Sequence, residues 1–132
     1  MIWYVDTSAA LKLVVEEPES PVLATELTRF ARGRGERHLV ASMLLFTELH
    51  CAAARRTTLP AAAINQVLDG LDLVDVERID LERAATSDWG LRSADAIHLA
   101  TALRLQADTV VTYDAELTAA AVRVGVPTRA PH

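Results

Sequence analysis

The chain has 132 residues, 51% of them apolar, and carries a formal net charge of −5 at neutral pH. That length fits one folded domain with a true core, spanning 1–132, and the apolar share excludes a disordered chain. A single cysteine, Cys51, excludes an intrachain disulfide, and nothing resembles a Cys/His zinc site.

The first residues, Met-Ile-Trp-Tyr-Val-Asp, lack the basic opening of a signal peptide, and Asp6 interrupts the apolar run early. No apolar stretch approaches the roughly 18 residues of a membrane span, so the expected location is the cytoplasm, with no membrane partner. Ile2–Val5 reads as a first strand ending at Asp6. Ser8 reads as the cap of a helix to about Val15, because its hydroxyl can accept a free first-turn N–H. Ser20-Pro21 opens a second helix to about Ala31, where Gly33 and Gly35 follow it.

His38–Ala41 is a second strand, with Ser42 capping a helix through Arg56. Pro60 opens a helix to about Gly70, Leu73–Ile79 reads as a third strand and Leu81–Thr86 as a short helix. Ser93 caps a helix through Gln106, and Thr109–Thr112 is a fourth strand. Asp114 starts a helix to about Val124, and Val126–Thr128 is a short last strand. Strands alternating with helices imply parallel βαβ units with right-handed crossovers. The expected class is α/β, with a central parallel sheet of about five strands flanked by helices.

Ligands of open parallel sheets bind beyond the carboxyl ends of the strands. Four acids fall at or near such positions: Asp6, Glu48, Asp95 and Asp114. Carboxylates brought close raise one another's pKa, and a hard dication relieves the repulsion. Oxygen ligands are what Mg²⁺ selects, so the pattern points to metal-assisted phosphoryl chemistry.

Each acid also has an ordinary reading. Asp6 suits a turn or a helix cap, and Asp114 suits an N-cap. Asp95 lies in a first helical turn, where the helix dipole favours an acid by about 0.3–1 kcal/mol. Glu48 is harder to explain, because its neighbours one turn away are Leu44, Leu45, Cys51 and Ala52. A carboxylate on that apolar stripe needs a cation, a donor or a metal, and the ordinary partner is an arginine.

His98 shares a helix face with Asp95, and its ordinary reading is a satisfied structural histidine. Arg92, one turn before Asp95, is a candidate for holding a substrate phosphate. Ser8 and Thr112 are candidates for orienting a water near substrate. Negative net charge on its face disfavours nucleic acid, but bound dications would offset it, and Arg29, Arg32, Arg34 and Arg37 form a local basic stretch.

With these segments placed, the chain resembles the PIN domains, specifically the VapC-type toxin ribonucleases of bacterial toxin–antitoxin pairs. The matching stretches are Tyr4-Val5-Asp6-Thr7-Ser8-Ala9, Thr47-Glu48-Leu49, Ser93 through Ala100, and Val111-Thr112-Tyr113-Asp114. They stand in the family's order, and similarity extends over nearly the whole chain.

The resemblance implies a five-stranded parallel sheet with Asp6, Glu48, Asp95 and Asp114 as an acidic quartet binding Mg²⁺, with Mn²⁺ able to substitute. It implies hydrolysis of RNA phosphodiesters by metal-activated water, leaving 5′-phosphate and 3′-hydroxyl ends. It also implies a homodimer and a cognate antitoxin that inserts a segment into the active-site groove. Within the quartet, Asp6 and Asp95 match the positions most consistently tied to metal, and Asp114 the most variable one. The alternative is a PIN-like domain that binds RNA or a partner without cutting, against which the intact quartet speaks.

Overall fold

A computed structural model of the chain describes residues 1–56 and 59–132. Five parallel strands form one sheet in the order β3-β2-β1-β4-β5. In chain order they are β1 (Ile2–Val5), β2 (His38–Ser42), β3 (Asp72–Val74), β4 (Thr109–Val111) and β5 (Thr128–Arg129). The helices are α1 (Thr7–Val14), α2 (Ser20–Ala31), α3 (Met43–Arg55), α4 (Ala61–Asp69), α5 (Arg78–Thr86), α6 (Ser93–Arg104) and α7 (Ala115–Arg123).

The central strand is the first one, and both its faces are covered, as a parallel sheet requires. Trp3 and Val5 point to one side, into a core built with Leu23, Phe30, Leu45, Leu49 and Ile64 from α2, α3 and α4. Trp3 stacks on Phe30 with ring centroids 4.0 Å apart. Tyr4 points to the other side, among Leu99 of α6 and Leu117 and Ala121 of α7. This alternation along three residues is the two-residue period of a strand.

The chain winds outward from β1 through β2 to β3, then returns across the sheet to β4 and β5. The order therefore reverses between β1 and β4, where Val5 stands beside Val111 in register. That reversal opens a crevice beyond the carboxyl ends of these two strands, and such a crevice is where open α/β sheets hold ligands.

Several local expectations shift. Asp6, not Ser8, caps α1, its Oδ1 accepting the Ala9 N–H at 2.9 Å. Ser42 and Arg92 occupy N-cap positions of α3 and α6, but neither side chain bonds a first-turn N–H. The third strand stops at Val74 instead of running to Ile79. A capping box explains this: Asp80 accepts the Glu77 N–H, and the Glu77 side chain accepts the Asp80 N–H, starting α5 at Arg78. The alternating apolar residues Ile79 and Leu81, which mimic a strand, are 55% and 48% exposed on that helix.

The last strand lies slightly later than read, because Val126 is spent in the core between α7 and the sheet. Among the described residues no helix is long and apolar enough to cross a membrane.

Candidate active site

Asp6 directly follows β1 and is 2% exposed. Both of its oxygens are occupied. Oδ1 accepts the Ala9 N–H and the Ser8 hydroxyl, the latter at 2.7 Å, and Oδ2 accepts the Thr112 hydroxyl at 2.5 Å. Burial pushes its pKa above the usual carboxylate range, although the bonds from Thr112, Ala9 and Ser8 pull the other way.

Ser8 and Thr112 are thus drawn to Asp6, and each also ties β4's end to the cluster. Ser8 Oγ accepts the Tyr113 N–H at 2.9 Å, and Thr112 Oγ1 accepts the Asp114 N–H at 3.1 Å. Asp114 caps α7, its Oδ1 accepting the Leu117 N–H at 2.8 Å. One carboxylate oxygen serves the helix and the other remains for the crevice.

Asp95 lies in the first turn of α6 and is half-buried. Its pKa is raised, first by burial and next by the charge of Asp114, with Asp6 and Glu48 adding to the effect and His98 opposing it. The other three acids are therefore all in electrostatic reach of Asp95. Asp95 and Asp114 line an open cleft of about 290 Å³ together with Arg92, Ala115 and Glu116. Glu116, one helical step into α7, was missed in the sequence; its only sequence signal is its place two residues after Asp114.

Glu48 has a different environment from the one expected. Its partner is not an arginine. Thr7 donates its hydroxyl to Glu48 Oε1 at 2.6 Å, and His98 Nε2 donates to the same oxygen at 2.7 Å. Burial raises the pKa of this half-exposed carboxyl, but the bonds from His98 and Thr7 prevail and leave it lowered. His98 itself is 1% exposed, and its Nδ1 lies 2.6 Å from the Tyr4 hydroxyl. Burial pushes the Tyr4 phenol well above its ordinary pKa, so it stays protonated.

The remaining candidate cations separate. Arg92 is exposed at the cleft. The stretch Arg29–Arg37 is at the other end of the molecule. The amino group of Met1 bonds the Glu36 carbonyl and His38 N–H bonds the Met1 carbonyl, so this stretch adjoins the start of β1, not its end at Asp6.

The sequence matches the PIN domain family over residues 3–123. The chain belongs to that family. Its PIN domain is 38% identical over 131 residues to "Ribonuclease VapC46" of Mycobacterium tuberculosis (strain ATCC 25618 / H37Rv), covering 97% of this chain and 96% of that one. It is 34% identical over 131 residues to "Ribonuclease VapC47" of Mycobacterium tuberculosis (strain CDC 1551 / Oshkosh), with the same coverage of 97% and 96%. These relatives place it in the VapC group of PIN domains.

The PIN fold is shared with VapBC2 of Rickettsia felis, solved bound to a DNA fragment from their promoter. That match has a TM-score of 0.77 at 14% identity, over 98% of each chain. Another match is Mycobacterium tuberculosis VapC20, described as a sarcin-ricin loop cleaving toxin, with a TM-score of 0.70 at 16% identity, over 89% and 94% of the two chains.

Whether the PIN-domain acids suit a metal depends on their chemistry and spacing. Among the described residues, no three His, Cys, Asp or Glu side chains form a group that could hold a metal ion between them. Mg²⁺ does not demand three such side chains, since it keeps several waters and is held through one or two carboxylates. An oxygen-only set in which three acids raise the pKa of a fourth, Asp95, fits such a hydrated hard ion.

Proposed function

We propose that this VapC-group PIN domain is a divalent-metal-dependent endoribonuclease toxin of a toxin–antitoxin pair, hydrolysing RNA phosphodiester bonds. The observation that carries the reading is the cleft at the β1/β4 crevice. Asp95 and Asp114 line it, and the charges of Asp6 and Glu48 reach Asp95 from behind. The names of its relatives, ribonucleases at 38% and 34% identity, support the same activity.

Three carboxylates against the single guanidinium of Arg92 make the bare cleft repel a phosphate. A bound Mg²⁺ or Mn²⁺ would offset that excess negative charge, and Asp6, Glu48, Asp95 and Asp114 are the residues that would hold it. What the ion supplies when bound is Lewis-acid polarisation of a phosphoryl oxygen and activation of a water for in-line attack.

The chain's own residues supply position. Asp6 is immobilised by three donors, and Asp114 is fixed by its cap bond, so neither carboxylate has to be ordered when substrate arrives. Arg92 stands where it can pair with a phosphate flanking the scissile one. None of the acids acts as a nucleophile in this scheme.

A cognate antitoxin as inhibitor and a homodimer as working form belong to the same proposal. The solved relatives that support the antitoxin include a toxin–antitoxin complex from Klebsiella pneumoniae, with a TM-score of 0.71 at 19% identity.

The test is direct. Purified protein should cleave RNA with Mg²⁺ or Mn²⁺, stop on chelation, and lose activity in Asp95→Asn. Cleavage that survives chelation, or full activity in Asp95→Asn, would overturn the metal reading. RNA binding without cleavage under all conditions would instead establish a non-cleaving domain. Growth arrest on expression, relieved by co-expressing the upstream neighbouring gene, tests the toxin assignment.

A further inference from the structure

A chain of hydrogen bonds runs behind the cleft, and the metal scheme uses only its last member, Glu48. It starts at the Tyr4 hydroxyl on the central strand, passes through both ring nitrogens of His98, and ends on Glu48 Oε1, which Thr7 also engages. Its members come from β1, α1, α3 and α6, so no single element sets its geometry.

We propose that His98 is a positioning residue: with Thr7 it clamps one oxygen of Glu48 and so presents the other, Oε2, to the acidic cleft. Both donors converge on Oε1, at 2.6 and 2.7 Å, and Thr7 Oγ1 lies 3.1 Å from His98 Nε2, so the three atoms form a closed contact. A carboxylate held through one oxygen has lost its side-chain rotation, and the remaining oxygen has a fixed direction. An unclamped glutamate has three rotatable bonds and would lose that freedom only on binding an ion.

The fold holds the clamp rigid from the far side as well. His98 is 1% exposed and Tyr4 wholly buried, with the two rings edge-on at 5.7 Å between centroids. Tyr4 cannot move without disturbing the central strand. Asp95 lies one turn before His98 on α6, so the same helix that places one acid at the cleft steers another.

A buried histidine in a purely structural role would satisfy its ring nitrogens on backbone groups or on side chains away from the cleft. Here both nitrogens are engaged by groups of opposite ends of the site, which is the arrangement outer-sphere partners adopt around metal-binding carboxylates.

Two measurements test this, and only the second rests on the metal reading above. In chelator-treated protein, nitrogen-15 NMR should show an exchange-protected Nε2–H on His98. Rapid exchange of that proton with water overturns the clamp whatever the metal does. Mn²⁺ binding followed by electron paramagnetic resonance then reads the consequence.

His98→Leu, which keeps bulk but not the donor, should weaken Mn²⁺ binding by about 10–100-fold. His98→Gln places an amide N–H near the Nε2 position and should return affinity to within about threefold of wild type. Thr7→Val removes the other donor at a half-buried position where folding is not at risk, and should cost about tenfold with an unchanged melting temperature. Wild-type affinity in both Thr7→Val and His98→Leu overturns the inference. So does a His98→Gln protein that is folded yet as weak as His98→Leu. A wild-type protein that binds no Mn²⁺ overturns the metal reading instead, and the protected proton still decides the clamp.

Discussion

Replacing Asp6 by asparagine should abolish RNA cleavage and, in metal-free protein, leave the fold as stable as before or more so. The wild-type carboxylate is 2% exposed and its pKa is raised by burial despite three donors. A raised folded pKa means that the neutral form is the one the fold prefers. The stability Asp6 contributes is therefore full below its unfolded value near 3.9 and is lost as pH rises through the higher folded value. Asparagine has no such loss.

The substitution is not free. The Ala9 N–H and the Ser8 hydroxyl keep their shared oxygen, but the hydroxyl of Thr112 now meets an amide N–H and must turn to accept. That one exchanged bond bounds the cost at about 1.5 kcal/mol. Against it stands the removal of a buried charge, whose desolvation costs several kcal/mol even after relaxation. Asp95 adds to the gain, since the charge of Asp6 helps to raise its pKa.

The expected balance at pH 8 favours Asp6→Asn by about 1–3 kcal/mol, or roughly 4–10 °C in melting temperature. Thermal melts of both proteins from pH 3 to pH 8, with chelator, should show that difference growing as pH rises above the unfolded value of Asp6. Adding Mg²⁺ should raise the wild-type midpoint and leave the variant's unchanged. A variant destabilised by more than about 2 kcal/mol at pH 8, or a difference flat in pH, would refute the reasoning.

Three further outcomes are expected. Arg104→Ala should cost about 3 kcal/mol in urea unfolding, because it strands the 1%-exposed Asp80 carboxylate that Arg104 Nε bonds at 2.9 and 3.1 Å. Asp80→Asn should cost less, since its amide oxygen can still accept the Glu77 N–H. Phe30→Ala should cost about 3–4 kcal/mol by emptying the place stacked on Trp3, measured the same way with catalytic constants unchanged. Arg92→Gln should raise KM for RNA about tenfold, with kcat nearly constant and a weaker dependence of binding on salt, as fits a phosphate contact.

The frame of this protein was legible because its apolar runs end abruptly at polar residues. Ile-Trp-Tyr-Val stops at Asp6 and the β4 run stops by Thr112, so strand ends could be placed by local pattern, although Asp6 and Arg92 took the cap positions read for Ser8 and Ser93. The partners of the crevice acids could not be placed in this way. Thr112 reaches Asp6 only because Val5 and Val111 are in register, a fact held by the sheet and by no window of sequence. Glu48 was seen to need a partner. That partner, His98, lies fifty positions away on another helix, and its own signal was weak: a histidine among small neighbours such as Ala94, Thr101 and Ala102. The β3 error has the opposite origin. Alternation at Ile79 and Leu81 is a real strand signal that a two-residue capping box overrides.

The division of labour among the acids follows from this. Asp6 is anchored on both oxygens and Glu48 on one, while the cap bond of Asp114 uses one oxygen, and Asp95 is the member whose charge is opposed by the other three. A site so arranged has spent its ordering cost in folding and keeps its electrostatic tension at Asp95, at the mouth of the cleft. Substitutions should then sort by position. Loss of charge at Asp95 removes the tension together with the activity. Loss of Thr112 or Ser8 frees a hydrogen-bond acceptor on Asp6 and should weaken the site while leaving its charge intact. Thr112→Val is the sharper of these tests, because it deletes the 2.5 Å bond to Asp6 with little change in volume. Its expected loss is about tenfold in kcat/KM at saturating Mg²⁺, and an unchanged rate would show that Asp6 needs no help from β4.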